Sequence, residues 1–143
     1  MAVSAADVEH IRRTFAAFNE RFATINEGGG VDRFFTEFYA PEGVVENVDN
    51  FPVPGRYAGL DGYREFVSQS YGSYRDVTWR VESIEPIGER VVVLARISGK
   101  PPDDDVELEV ALGVTYEMSD GKIAYSRVYV GHDRARDAAR NGG

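Results

Sequence analysis

Apolar positions recur with two different periods along this chain, and the change from one to the other divides it. From Ser4 to Ile25, Val8, Ile11, Phe15, Phe18, Phe22 and Ile25 return at alternating steps of three and four. That spacing puts them in one stripe along a helix. Ser4 followed by Asp7 reads as a capping box, and Gly28-Gly29-Gly30 ends the element. A second short helix is expected over Val31–Tyr39, with Phe34, Phe35 and Phe38 apolar and Pro41 as its stop. Gly43–Val48 reads as a short strand, and Leu60–Tyr71 as a third helix.

Beyond Tyr71 the period falls to two. Val77, Trp79 and Val81 alternate with Thr78, Arg80 and Glu82, which marks a strand. Strands follow over Arg90–Ser98, Val106–Met118 and Lys122–Val130; the loop GKPPDDD lies between the first two and Asp120-Gly121 turns the last hairpin. Arg134–Gly143 is expected to be a frayed tail. Helices first and mostly antiparallel strands after them predict one α+β domain over 1–143.

With Asp120-Gly121 as a two-residue turn, Tyr116 faces Tyr125, Val114 faces Arg127, and Leu112 faces Tyr129 on a bulky side. Thr115 with Ser126 and Gly113 with Val128 then make a side of small residues. The small side lines a cavity or faces solvent; alternation alone leaves both open. On the same side, Arg96 falls opposite Glu109 and Ser98 opposite Glu107. Arg96 is either half of an exposed ion pair or an anion clamp in a pocket.

Composition narrows the function classes. The net charge is −8, and no basic face for nucleic acid or an anionic membrane is visible. There are no cysteines, which excludes disulfides and thiolate metal sites and makes the cytoplasm the expected compartment. His10 lies off the apolar stripe and is expected at the surface; His132 ends the last strand. Two distant histidines disfavour a metal site. No phosphate loop or dinucleotide fingerprint occurs, so no cofactor is expected.

The order of elements, with FYAPEGVVENV, PGRYAGLDGYREF and SDGKIAYSRVYVGHDRARDAA, resembles the SnoaL-like branch of the nuclear transport factor two-like superfamily from Val8 to about Ala138. The resemblance implies three N-terminal helices packed on a curved sheet, forming a cone with an internal pocket. In the superfamily's ketosteroid isomerases a tyrosine and an aspartic acid form an oxyanion hole beside an aspartate base. Those positions fall here on Thr14, Gly113 and Asn47. Its epoxide hydrolases use an Asp-Arg-Asp set, matched here by Ser98, Arg96 and Val128. Both chemistries therefore lose their acids and bases.

Three readings follow. The first is a protein that binds a small hydrophobic molecule through Thr14, Phe18, Asn47, Arg96, Ser98, Glu109, Gly113, Thr115, Ser126 and Val128. The second is a cofactor-independent cyclase, isomerase or hydrolase with Asp49 or Glu109 as base and Arg96 as stabiliser. The third is an interaction module without activity. The bulky side, with Leu112, Val114, Tyr116, Tyr125 and Tyr129, is expected to pair two chains into a homodimer.

Overall fold

The computed structural model describes residues 3–25, 29–47, 55–72 and 74–141. Among these, helix α1 spans Ala5–Arg21 and is followed by a 3₁₀ turn, Phe22–Thr24. Then come α2 (Gly30–Phe38), β1 (Tyr39–Asn47), β2 (Gly55–Ala58) and α3 (Gly59–Tyr71). Four strands follow: β3 (Arg75–Ile87), β4 (Arg90–Lys100), β5 (Leu108–Ser119) and β6 (Lys122–Val130). A last helix, α4, covers His132–Arg140.

Helix α1 starts as its sequence requires. The Ser4 hydroxyl accepts from the Asp7 amide at 3.1 Å, and the Asp7 carboxylate accepts from the Ser4 amide at 3.4 Å. Its apolar stripe is buried through Ile11, Phe15 and Phe18. His10 departs from its expected surface position. It is buried, and its Nε2–H donates to the Phe38 carbonyl at 2.9 Å, tying α1 to the end of α2. One polar bond made this otherwise costly burial possible.

The strands form one sheet in the order β2-β1-β6-β5-β4-β3. All pairs are antiparallel except β1 with β6. The outermost strands, β2 and β3, do not pair with each other, so the sheet is unclosed. One side carries the main core, where α1, α2 and α3 pack on inward residues such as Val91, Val93 and Ala95. The other side holds a smaller cluster of Val92, Leu94 and Tyr129 under Ala135 and Ala139 of α4.

Helix α4 replaces the expected frayed tail. Its only apolar groups are alanines, too weak a pattern to announce a helix in the sequence. What seats it is the absence of a side chain beneath it. A β-carbon added at Gly113 would overlap the β-carbon of Ala135. The smallness of Gly113, a position the family resemblance equates with an acid, is therefore a packing requirement of α4.

The last hairpin corrects the expected register. Asp120 and Gly121 both have positive φ (52° and 78°), as a type I′ turn demands. Ser119 faces Lys122 and Met118 faces Ile123. The ladder then slips by one residue at Ala124, so Glu117 faces Tyr125, Tyr116 faces Ser126 and Val114 faces Val128. This is a β-bulge. Without it, strict alternation from the buried Ile123 would turn Arg127 into the core; with it, Ser126 and Val128 turn inward and Arg127 outward. The bulky and small sides drawn across both strands therefore do not exist: β5 keeps its alternation, and the β6 residues beyond the bulge change sides. Leu112, Val114 and Tyr116 are buried in the main core, whereas Tyr129 lies beneath α4 and Tyr125 is half-buried. These residues share no common surface, and the argument for a dimer through them falls with the register.

Candidate functional site

The inward side of the sheet and the three helices over it border a void of about 50 Å³. Helix α1 contributes Thr14, Phe15 and Phe18 to its wall, and α2 contributes Phe34 and Phe35. Phe66, Val67 and Tyr71 close it from α3. The sheet supplies Tyr39 and Val45, then Trp79, then Val114 and Tyr116, and last Ser126 and Val128. Only Tyr39 and Tyr71 among these are less than fully buried.

Ring packing shapes the wall. Phe15 meets Trp79 edge-on at 5.2 Å and Tyr116 edge-on at 6.2 Å. Tyr71, the last residue of α3, sits 5.1 Å from Phe18 and 5.8 Å from Phe66 between ring centres. Such tilted and edge-on pairs are the favoured geometries of aromatic quadrupoles.

The polar atoms of the wall are neutral. Burial pushes the Tyr39 phenol far up, with the nearby Tyr71 and Tyr63 adding to the effect and the Ser126 hydroxyl opposing it. Burial also raises Tyr71, opposed by Trp79, and raises Tyr116, where neighbouring Tyr39 and Tyr71 push the same way. All three phenols are therefore hydrogen-bonding groups rather than anions at neutral pH. The Thr14 hydroxyl already donates to the His10 carbonyl at 2.8 Å, which leaves it only acceptor capacity. No carboxylate, lysine, arginine or histidine stands on this wall among the described residues.

The structure divides the residues singled out from the sequence. Thr14, Phe18, Ser126 and Val128 are on the wall. Asn47 is buried and pairs with Val128 in the β1–β6 ladder, but it is not part of the wall. Asp49 lies outside the described residues. Arg96, Ser98, Glu109, Gly113 and Thr115 are not on the wall either. Strand alternation puts Arg96 and Ser98 on the α4 side, because Ala95 and Ile97 point into the main core. On β5, Leu112, Val114 and Tyr116 point into the main core, so the alternating Gly113 and Thr115 point outward.

Arg96 and Glu109 do approach, at 3.6 Å, and Arg96 also meets Glu82 at 3.6 Å. Both side chains are about 40% exposed (40% and 39%), so this is a solvated ion pair rather than a clamp inside a pocket. His132 stands at the first turn of α4. Its Nε2–H donates to the Ala95 carbonyl at 2.9 Å and lies 3.7 Å from Glu82. Among the described residues, no group of three His, Cys, Asp or Glu side chains could hold a metal ion, and no helix is long and apolar enough to cross a membrane.

Sequence reasoning missed Tyr39, Tyr71, Trp79 and Tyr116 as wall residues. Tyr71 was on the apolar stripe of the third helix and Trp79 on the apolar phase of its strand, so both carried a signal. Tyr116 was in phase with Leu112 and Val114 on its strand, so it carried one as well.

No curated protein matches the chain. The SnoaL-like domain family matches residues 11–126. Among solved structures, a nuclear transport factor two-like protein of unknown function from Burkholderia pseudomallei K96243 aligns with a TM-score of 0.72 at 13% identity, covering 92% of this chain and 95% of that one. TerC, co-crystallised with polyporic acid, aligns at 0.70 and 14% identity over 94% and 98%. A protein of ketosteroid isomerase-like fold from Catenulispora acidiphila DSM 44928, in complex with trimethylamine, aligns at 0.62 and 13% identity over 86% and 90%. At these identities the likeness is one of fold.

Proposed function

The chain belongs to the SnoaL-like domain family, and from that membership and its interior we propose that it binds a small, largely apolar molecule between α1, α3 and the inward side of the sheet. The observation that carries this reading is the aromatic-walled void with neutral hydroxyls from Thr14, Ser126 and three tyrosines. Apolar walls with a few placed polar groups are the usual composition of a ligand site. Polyporic acid with TerC and trimethylamine with the Catenulispora protein are consistent with small organic molecules as occupants of this fold.

The size of the void limits the ligand. Sites for drug-sized molecules run to roughly 300–1,000 Å³, against about 50 Å³ here. A single-ring compound enters only if wall side chains give way. Tyr71 is the side chain placed to do so, being half-buried at the last residue of α3.

The catalytic reading has less support. Its stabiliser and one of its bases, Arg96 and Glu109, form an exposed pair away from the void. Asn47 cannot take a proton. The remaining base is Asp49, outside the described residues.

Trp79 is the only tryptophan in the chain and stands on the wall, so its indole N–H is a single-signal reporter. Titration with ethylbenzene should shift that signal in ¹⁵N–¹H correlation spectra, with saturation. An indole signal that does not move up to the solubility limit would reject the void as a binding site.

A further inference from the structure

We propose that the open edge of β5 at Leu108–Val110 is a docking site for an extended, basic segment of another protein, which adds a short strand to the sheet where β6 stops. The site lies apart from the void and does not depend on a ligand there.

β5 reaches further than the strand beside it. Its ladder with β6 ends at Leu112 opposite Val130. Gly131 then gives its N–H to the Ala111 carbonyl at 3.0 Å and, with a φ of 93°, turns the chain away into α4. On its other edge β5 stays paired with β4 as far as Leu108 opposite Gly99. Backbone groups alternate in direction along a strand, so those of Glu109, and of Glu107 just before the strand, point the same way as the Ala111 carbonyl. Among the described residues they meet no hydrogen-bond partner there. The border strand β3 shows what a closed edge looks like. Asn19 donates from Nδ2 to the Trp79 carbonyl and accepts from the Trp79 N–H at Oδ1, both at 2.8 Å. An edge left open is a template for another strand.

The side chains at this edge fit such a partner. Val106, Leu108 and Val110 are 60%, 51% and 42% exposed, and with Tyr74 they are the exposed large apolar groups among the described residues. Leu108 and Val110 are in phase with the buried Leu112, on the inward side of the sheet. A strand added in line with β6 sets its inward side chains against Leu108 and Val110 and takes them out of water. Its outward side chains come to lie beside Glu107 and Glu109.

Charge selects the occupant. Arg75, Arg80, Arg96 and Lys100 at this end each already meet an acid. Asp103 and Glu107 have no ion-pair partner among the described residues, so the uncompensated charge is negative. A second copy would bring the same acids to the same edge, and like charges set opposite each other repel. A segment that alternates basic and apolar residues satisfies the edge, the apolar side chains and the acids together.

The probe is the peptide Lys-Val-Lys-Val-Lys-Val, acetylated and amidated. One control carries glutamates for the lysines. A second is N-methylated at the lysines, the residues that would exchange hydrogen bonds with Glu107 and Glu109, and keeps its charge and side chains. In ¹⁵N–¹H spectra the first peptide should shift the amides around Glu107 and Glu109 with saturation and slow their exchange. Both controls should bind about tenfold more weakly or worse, the ratio for one or two lost hydrogen bonds. Leu108→Lys should weaken the first peptide by about the same factor through lost apolar contact, with Trp79 emission unaltered because the replaced side chain is exposed. Equal binding of the N-methylated peptide would overturn strand addition, and equal binding of the glutamate peptide would overturn the basic partner. Unmoved amides at millimolar peptide would remove the site. A dimer in sedimentation of the protein alone that Leu108→Lys splits would give the edge to a second copy and overturn the proposal.

Discussion

The two sides of the sheet are built from the same strands and obey opposite rules. On β4, Val91, Val93 and Ala95 enter the main core with the aromatic side chains of α1 and α2. Their alternates Val92 and Leu94 lie under the alanines of α4, and Arg96, beyond the helix, reaches solvent. The inward side holds hydroxyls and, among the described residues, no charge around its void. The α4 side holds a chain of ion pairs, Arg80–Glu109–Arg96–Glu82, with Arg136–Glu85 alongside. The difference shows that the residues most suggestive of chemistry in the sequence, Arg96 and Glu109, take part in a solvated network. The candidate site is made instead from residues that look like ordinary core.

That contrast predicts where the molecule is fragile. Phe15→Ala removes a ring that packs on both Trp79 and Tyr116. It should cost about 3–5 kcal/mol in denaturant unfolding, the range for an aromatic deleted from a core. A loss below about 1 kcal/mol would mean that the inward side is loosely packed and the void poorly defined.

The α4 side should yield less, and in one place. Gly113→Val puts a side chain where Ala135 sits and should cost about 1–3 kcal/mol by overpacking. Faster amide exchange throughout α4, with unaltered Trp79 emission, is the expected signature. If Trp79 responds as strongly as α4, the two sides are not independent.

The smallest effect belongs to the ion pairs. Arg96→Met and Glu109→Gln should each change stability by less than about 1 kcal/mol, because both partners are about two fifths exposed. Added salt should erase most of that change. A melting point that drops steeply in either variant would show the pair to be far less solvated than its geometry indicates.

Much of this was legible in advance. The apolar stripe and capping box of α1, the short α2, the period-two strands and the Asp120-Gly121 turn follow from local rules, and each formed within a few residues of its expected span. Four of the residues singled out also fall on the wall of the void: Phe18 from the apolar stripe of α1, and Thr14, Ser126 and Val128 by resemblance. The argument that first placed Ser126 and Val128 inward, however, assumed a pairing that the hairpin does not have.

Local information ran out where one residue's direction depends on distant partners. Nothing in LysIleAlaTyrSerArg, Lys122 to Arg127, marks Ala124 as the extra residue of a bulge. The slip occurs because it buries Ser126 and Val128 and releases Arg127, a balance set by the helices on the other side of the void. Likewise, the alanines of α4 become a packing face only opposite Gly113. Hydrophobic period, turn chemistry and capping act between near neighbours in the chain, so the sequence by itself determined the elements and the fold class. Which side of the sheet each side chain entered, and with it the wall of the void and the exposure of Arg96, was decided only by tertiary structure, because a one-residue shift in a ladder of period two reverses every side chain beyond it.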